Sequence, residues 1–213
     1  MKVFRTETEH DVYGPLVSLL REGGIIAYPT DTAYGLGADP FNTIAIDRIF
    51  TIKGRSEEKP ILLLVDSVAA AESVIRPTDI FYRVVEKFWP GPLTVVTFAH
   101  ETVPSKVTAG TGTIGVRWPV YSFATMLVRR FGKPVTATSA NRSGMPSAVT
   151  ADEVRRQLGD SVDALVDGGL LPSRGASTLL DLSVDPPVLL REGPLPFETL
   201  AQFFEGRIRR RVA

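Results

Sequence analysis

Apolar positions along this chain switch repeatedly between helical and strand spacing. Val12, Leu16, Leu19 and Leu20 recur at helical spacing over residues 11–22, and Gly23-Gly24 closes that helix. Residues 25–28 then read as a strand. Asn42 is placed to cap a helix reaching about Thr51, with Ile44, Ile49 and Ile52 facing inward. Residues 61–65 are apolar without a break, as in a strand buried on both faces. Helices are predicted over 67–75 and 79–88, and Pro90-Gly91-Pro92 punctuates the chain before a strand over 93–98. A further strand covers 113–118. Phe123, Leu127, Val128 and Phe131 form the inward stripe of a helix that Gly132 ends. The strand over 135–137 empties into a polar loop, Thr138 to Gly144. Thr150 and Glu153 have capping-box spacing for a helix to Leu158. Strands over 165–167, 178–182 and 188–191 and a short helix over 196–204 follow. The basic tail Arg207-Ile208-Arg209-Arg210-Arg211 is expected to fray.

Strands and helices alternate throughout, so the class is α/β. Several neighbouring strands lack a helix between them, which predicts a twisted mixed sheet flanked by helices. No repeat, low-complexity segment or long linker divides the chain. One compact domain over 1–206 is expected, with 207–213 as the basic tail.

Composition narrows the function. Lys plus Arg is 24 and Asp plus Glu is 24 in 213 residues, so a site for anions must come from local clustering. There is no cysteine, which excludes disulfides, zinc–thiolate centres and thiol nucleophiles. No signal peptide is visible at the N-terminus, and no apolar run approaches the roughly 20 residues of a membrane span. A cytoplasmic protein with no membrane partner is expected.

Candidate chemistry sits in polar loops that leave apolar strands, where ligands of α/β sheets gather. Thr30, Asp31 and Thr32 form the first, either a ligand-facing turn or a simple strand cap. Lys53, Arg55 and Lys59 put three cations within seven residues, as a phosphate clamp or as a solvated loop paired with Glu57 and Glu58. Gly110 to Gly115 fits a G-x-G-x-x-G spacing, but Val116-Arg117-Trp118-Pro119 is strand-like where a dinucleotide site needs a helix. Arg117 lies in an apolar strand and needs an anionic partner, either internal or a ligand. Ser139-Ala140-Asn141, with Ser143, Gly144 and Ser147, could let backbone amides approach a phosphate. Arg191 either joins this group or pairs with Glu192. Converging at one sheet edge, Lys53, Arg55, Lys59, Arg117 and Arg191 would suit a nucleoside triphosphate or an RNA backbone. No cluster suggests a metal cage.

These motifs, in order, resemble a known family. Pro29 to Gly37, Lys53-x-Arg55, Lys59-Pro60, Pro90-Gly91-Pro92-Leu93-Thr94, Thr113-x-x-x-Arg117, Ser139-Ala140-Asn141, and Ser177-Thr178 with Leu190-Arg191 are similar to those of the YrdC-like threonylcarbamoyl-adenylate synthases. The resemblance spans about 17–193 and implies the YrdC-like fold in its short, single-domain form. It implies a nucleotidyltransferase that makes threonylcarbamoyl-AMP and pyrophosphate from L-threonine, bicarbonate and ATP, for t6A modification of tRNA. By the family pattern Thr32, Arg117, Ala137 (through its backbone) and Ser177 contact threonine. Arg55, Lys59, Thr113, Ser139, Asn141, Ser147 and Arg191 hold ATP. Lys53 and Arg55 carry the catalytic signature, and Mg2+ rides mainly on the phosphates. Implied partners are a downstream t6A transfer complex and tRNA or double-stranded RNA; RNA binding without catalysis is the alternative function. One departure stands out: longer members carry a histidine where this chain has Leu64.

Overall fold

The computed structural model describes residues 1–6, 11–54, 59–120, 122–172 and 175–211; Arg55 lies outside them. Strand β1 (Lys2–Arg5) precedes helix α1 (Tyr13–Arg21). A hairpin of β2 (Ile26–Pro29) and β3 (Tyr34–Gly37) leads to α2 (Thr43–Lys53) and the short β4 (Leu63–Leu64). Helices α3 (Val68–Glu72) and α4 (Asp79–Phe88) come before β5 (Leu93–Phe98). The single turn α5 (Ser105–Thr108) leads to β6 (Thr113–Arg117), and α6 (Phe123–Phe131) leads to β7 (Val135–Thr136) and β8 (Thr138–Ser139). The chain continues through α7 (Ala151–Leu158), β9 (Ala164–Asp167), β10 (Thr178–Asp181), β11 (Val188–Arg191), α8 (Phe197–Phe203) and β12 (Arg209–Arg210).

The expected mixed α/β architecture is present, but the hydrogen bonds divide the strands into two sheets. Among the described residues the orders are β1-β9-β2-β3-β8 and β12-β11-β10-β5-β6-β4-β7. Both mix directions: β2 is parallel to β9 and antiparallel to β3, while β5 is parallel to β10 and antiparallel to β6. The chain crosses between the sheets within residues 135–139. Val135 and Thr136 pair with β4, and Thr138 and Ser139 pair with β3. The strand expected over 135–137 is therefore two short strands, with Ala137 between them.

Side-chain alternation explains why central strands are apolar throughout. Ile25 and Ala27 enter the larger core, while Ile26 and Tyr28 enter the smaller one under α1 and α6. Leu63 and Leu64 divide in the same way. The Tyr28 ring also accounts for Gly37 of β3. A Cβ at Gly37 would lie 2.8 Å from Tyr28 Cε1 and 3.1 Å from the side chains of Ile26 and Val135. Glycine makes room for the ring, and it also disguises the strand, which the sequence reads as part of a polar turn.

Helix α2 shows how register places a functional residue. Asn42 accepts the Ala45 N–H, and Gly54 closes the helix at φ 56°. Its buried positions are Ala45, Ile46, Ile49, Phe50 and Lys53. Ile44, expected inside, is 73% exposed. It stands two residues from Ile46, about 200° around the helix. The inward stripe at three- and four-residue steps carries Lys53 under the fold.

The tail does not fray at Arg209–Arg210, which pairs in parallel with Val188 and Leu189. Arg210 bridges Glu192 and Glu198, with its guanidinium carbon 4.2 Å from the centre of the Phe197 ring. Among the described residues no helix is long and apolar enough to cross a membrane.

Candidate active site

Arg117 ends β6 and is only 5% exposed. Its Nε donates to the Gly91 carbonyl at 3.1 Å, and its Nη2 donates to Asp31 Oδ2 at 2.5 Å. The partner left open by the sequence is thus internal, on the turn between β2 and β3. Thr30 closes that turn: its hydroxyl donates to the Ala33 carbonyl at 2.6 Å and accepts the N–H groups of Thr32 and Ala33 at 3.2 and 3.3 Å. Gly91 is fixed by its own N–H, which donates to the Trp118 carbonyl.

A second guanidinium adjoins the first. Arg191 donates from Nε and Nη2 to the Ser177 carbonyl at 3.1 and 2.8 Å. The Ser177 hydroxyl lies 2.7 Å from that of Thr94, both buried. Burial lowers the Arg191 pKa, and the positive charge of Arg117 lowers it further. Burial also lowers that of Arg117, against the upward pull of Asp31. Two mutually repelling cations with one carboxylate leave a local excess of positive charge, suited to an anion. Glu192 does not relieve it, because it pairs with Arg210.

The backbone around Ser177 has no slack. A Cβ at Gly193 would lie 2.4 Å from the Ala176 carbonyl oxygen and 2.5 Å from the Thr178 nitrogen. Gly193→Ala must displace the segment whose carbonyl holds Arg191. A stability loss of about 1–3 kcal/mol is expected from overpacking, measurable by thermal melts.

Lys53 and Asn141 do not line the crevice in the manner the sequence suggests. Lys53 is 4% exposed. Its ammonium donates to the carbonyl of Ser139 and, at 2.9 Å, to that of Asn141; the Asn141 side-chain oxygen stands at 3.5 Å. Asn141 Nδ2 donates to the carbonyls of Arg142 and Met145 at 3.0 and 2.6 Å, and Ser143 N–H donates to the Lys53 carbonyl. Both side chains tie the Ser-Ala-Asn loop to the end of α2. The clamp pictured as five cations around one crevice thereby loses Lys53, which the helical stripe turns inward.

A profile of the Sua5/YciO/YrdC family, described as telomere recombination, matches residues 18–193. The chain belongs to the Sua5/YciO/YrdC family. A Pyrococcus abyssi protein named threonylcarbamoyl-AMP synthase is 38% identical over 191 residues, covering 89% of this chain and 56% of that protein. One of the same name from Thiobacillus denitrificans is 39% identical over 169 residues, 79% of this chain and 89% of that one. The chain thus spans little more than half of the Pyrococcus relative. The crystal structure of P. abyssi Sua5 complexed with L-threonine superposes with a TM-score of 0.91 at 35% identity, covering 99% of this chain and 62% of that one.

The remaining positions of the family pattern fall into two groups. Near the Asp31 turn, Thr32 Oγ1 lies 3.2 Å from the Thr30 hydroxyl. Ala137 gives its N–H to the Leu62 carbonyl, while its own carbonyl accepts no hydrogen bond among the described residues. Ser139 ends β8 opposite Gly35, and exposed Ser147 precedes Ala148, whose carbonyl accepts the Tyr34 N–H. Farther off, Lys59 is exposed, and Thr113 begins β6 about 13 Å from Arg117, four residues at about 3.3 Å each. Leu64 pairs in register with Arg117 and is buried in the smaller core. The sequence missed Gly91 and Thr94 as supports. The Pro-Gly-Pro break and a threonine inside an apolar strand were the available signals.

Proposed function

We infer that this chain makes threonylcarbamoyl-AMP and pyrophosphate from L-threonine, bicarbonate and ATP, as a nucleotidyltransferase. The observation that carries this reading is the buried, pre-oriented Arg117 with the charge of Arg191 acting on it, its Asp31 partner preceding Thr32 and the Ser177 carbonyl holding Arg191. Such a site suits a small hydroxylated carboxylate next to a phosphate chain. It agrees with the named activity of the relatives and with the threonine complex of P. abyssi Sua5.

The chemistry asks for positioning more than for a base. Threonine ammonium and bicarbonate give the carbamate, water and one proton. The carbamate oxygen then attacks the α-phosphorus of ATP, the bond to the bridging oxygen breaks, and pyrophosphate leaves. Arg117 would hold the amino-acid carboxylate, with Thr32, Ser177 and the Ala137 carbonyl around the rest of threonine. Arg191, Lys59, Ser139, Ser147 and Thr113 would contact ATP, joined by Arg55 from outside the described residues. Among the described residues no three acidic or imidazole groups form a metal cluster, so Mg2+ fits as a companion of the phosphates. A cytoplasmic role in tRNA t6A synthesis, with handover to a transfer complex, follows from the product.

Pyrophosphate release should require both L-threonine and bicarbonate. Equal release with no amino acid, or with serine at the same efficiency, would overturn the assignment.

A further inference from the structure

Arg117 is held on two sides and open on the third. Gly91 takes Nε and Asp31 takes Nη2, whereas Nη1 has no partner among the described residues, and the side chain keeps 6% of its surface exposed. Asp31 has little structural reason of its own to be there. The turn around it is closed by Thr30, and among the described residues the Asp31 side chain makes a single hydrogen bond, to Arg117. Its other oxygen, Oδ1, is buried with no partner. An unpaired buried carboxylate oxygen is unfavourable and calls for an explanation.

The guanidinium needs restraint. It is a rigid planar fork on a flexible stem, and the neighbouring Arg191 repels it. We propose that Asp31 is the positioning residue for Arg117: with the Gly91 carbonyl it fixes the guanidinium plane so that Nη1 alone faces the crevice and receives the carboxylate of the amino-acid substrate. The orphaned Oδ1 is then the cost of placing a carboxylate where it holds Nη2. Preorganisation of this kind improves binding by sparing the ordering of the side chain at encounter. This role rests on the threonine reading of the crevice, and the test separates the two.

Two variants divide shape from charge. Asp31→Leu keeps much of the volume and removes the acceptor, whereas Asp31→Asn keeps an acceptor and removes the charge. Without ligand, 15N NMR should find the Arg117 Nε–H slow to exchange in the wild type and in Asp31→Asn, and at least tenfold faster in Asp31→Leu. With ligands, calorimetry should find L-threonine preferred over L-threoninamide in the first two and that preference lost in Asp31→Leu. Its KM for threonine should rise more than about tenfold with the KM for ATP unchanged. Unchanged Nε–H exchange in Asp31→Leu, or an intact preference for the carboxylate, would overturn the proposal. So would an Asp31→Asn protein as impaired as Asp31→Leu, since the charge would then matter rather than the orientation. A wild type that binds neither ligand counts against the threonine reading alone, and the exchange measurement still judges Asp31.

Discussion

Replacing Lys53 with methionine should lower both stability and activity, unlike replacing an exposed phosphate-binding cation. The methionine keeps the reach of the side chain but takes the ammonium away from both carbonyls; that of Ser139 keeps the Asn141 N–H, while that of Asn141 loses its donor. A buried acceptor left unpaired costs about 1–3 kcal/mol, so a loss of about 2 kcal/mol is expected. For a chain of this length that is a fall in Tm of about 4–8 °C. Activity should fall too, because the Ser-Ala-Asn loop loses its tie to α2. Lys59→Met is the control. Lys59 is exposed, so its loss should stay within about 0.5 kcal/mol while the KM for ATP rises. Thermal melts and steady-state kinetics on the two variants separate the roles. A Lys53→Met protein that melts like the wild type would show that the ammonium does not support the loop.

Arg117→Ala should be the second severe change, for a different reason. It removes the proposed carboxylate contact and strands Asp31, whose side chain is 18% exposed. Breaking a buried ion pair from one side costs about 3–5 kcal/mol. The partial exposure of Asp31 favours the low end, or about 6–12 °C in Tm. Loss of a charge-assisted contact of about 1.5–3 kcal/mol should cut kcat/KM for threonine by about 10–100-fold. Adding Asp31→Asn to Arg117→Ala removes the stranded charge. The double variant should regain most of the Tm and none of the activity, and a double-mutant cycle by calorimetry gives the coupling. If the double variant is no more stable than Arg117→Ala, the pair is not the stabilising unit described.

Local patterns were legible where a residue answers to its own neighbours. Asn42, Thr150 with Glu153, and Gly132 mark helix ends that the structure reproduces. The buried Arg117 was recognisable as a charge in need of an anion, but its partner lies 86 residues away, a distance no local pattern reports. Lys53 could have been read from the α2 stripe through Ile46, Ile49 and Phe50, yet its charge directed attention to solvent. Strand β3 was hidden because Gly37 makes room for the Tyr28 ring, a tertiary requirement that looks like turn chemistry. The division into two sheets depends on hydrogen bonds chosen by Val135 and Ser139, and both sides of that choice are apolar strands in sequence.

The crossing between the sheets also constrains mechanics. Val135–Thr136 is sewn into one sheet and Thr138–Ser139 into the other, and Thr136 reaches across as well, its N–H donating to the Ala38 carbonyl and its hydroxyl to that of Leu36. One residue spans only about 3.3–3.6 Å when extended, so there the two sheets cannot drift apart. Away from the crossing a shared core holds them, with Ala27 and Leu36 of one sheet in the same hydrophobic cluster as Leu63 and Val95 of the other. Ala137 sits at the crossing, its N–H fixed on the Leu62 carbonyl. A backbone change at Ala137 therefore reaches both sheets at once.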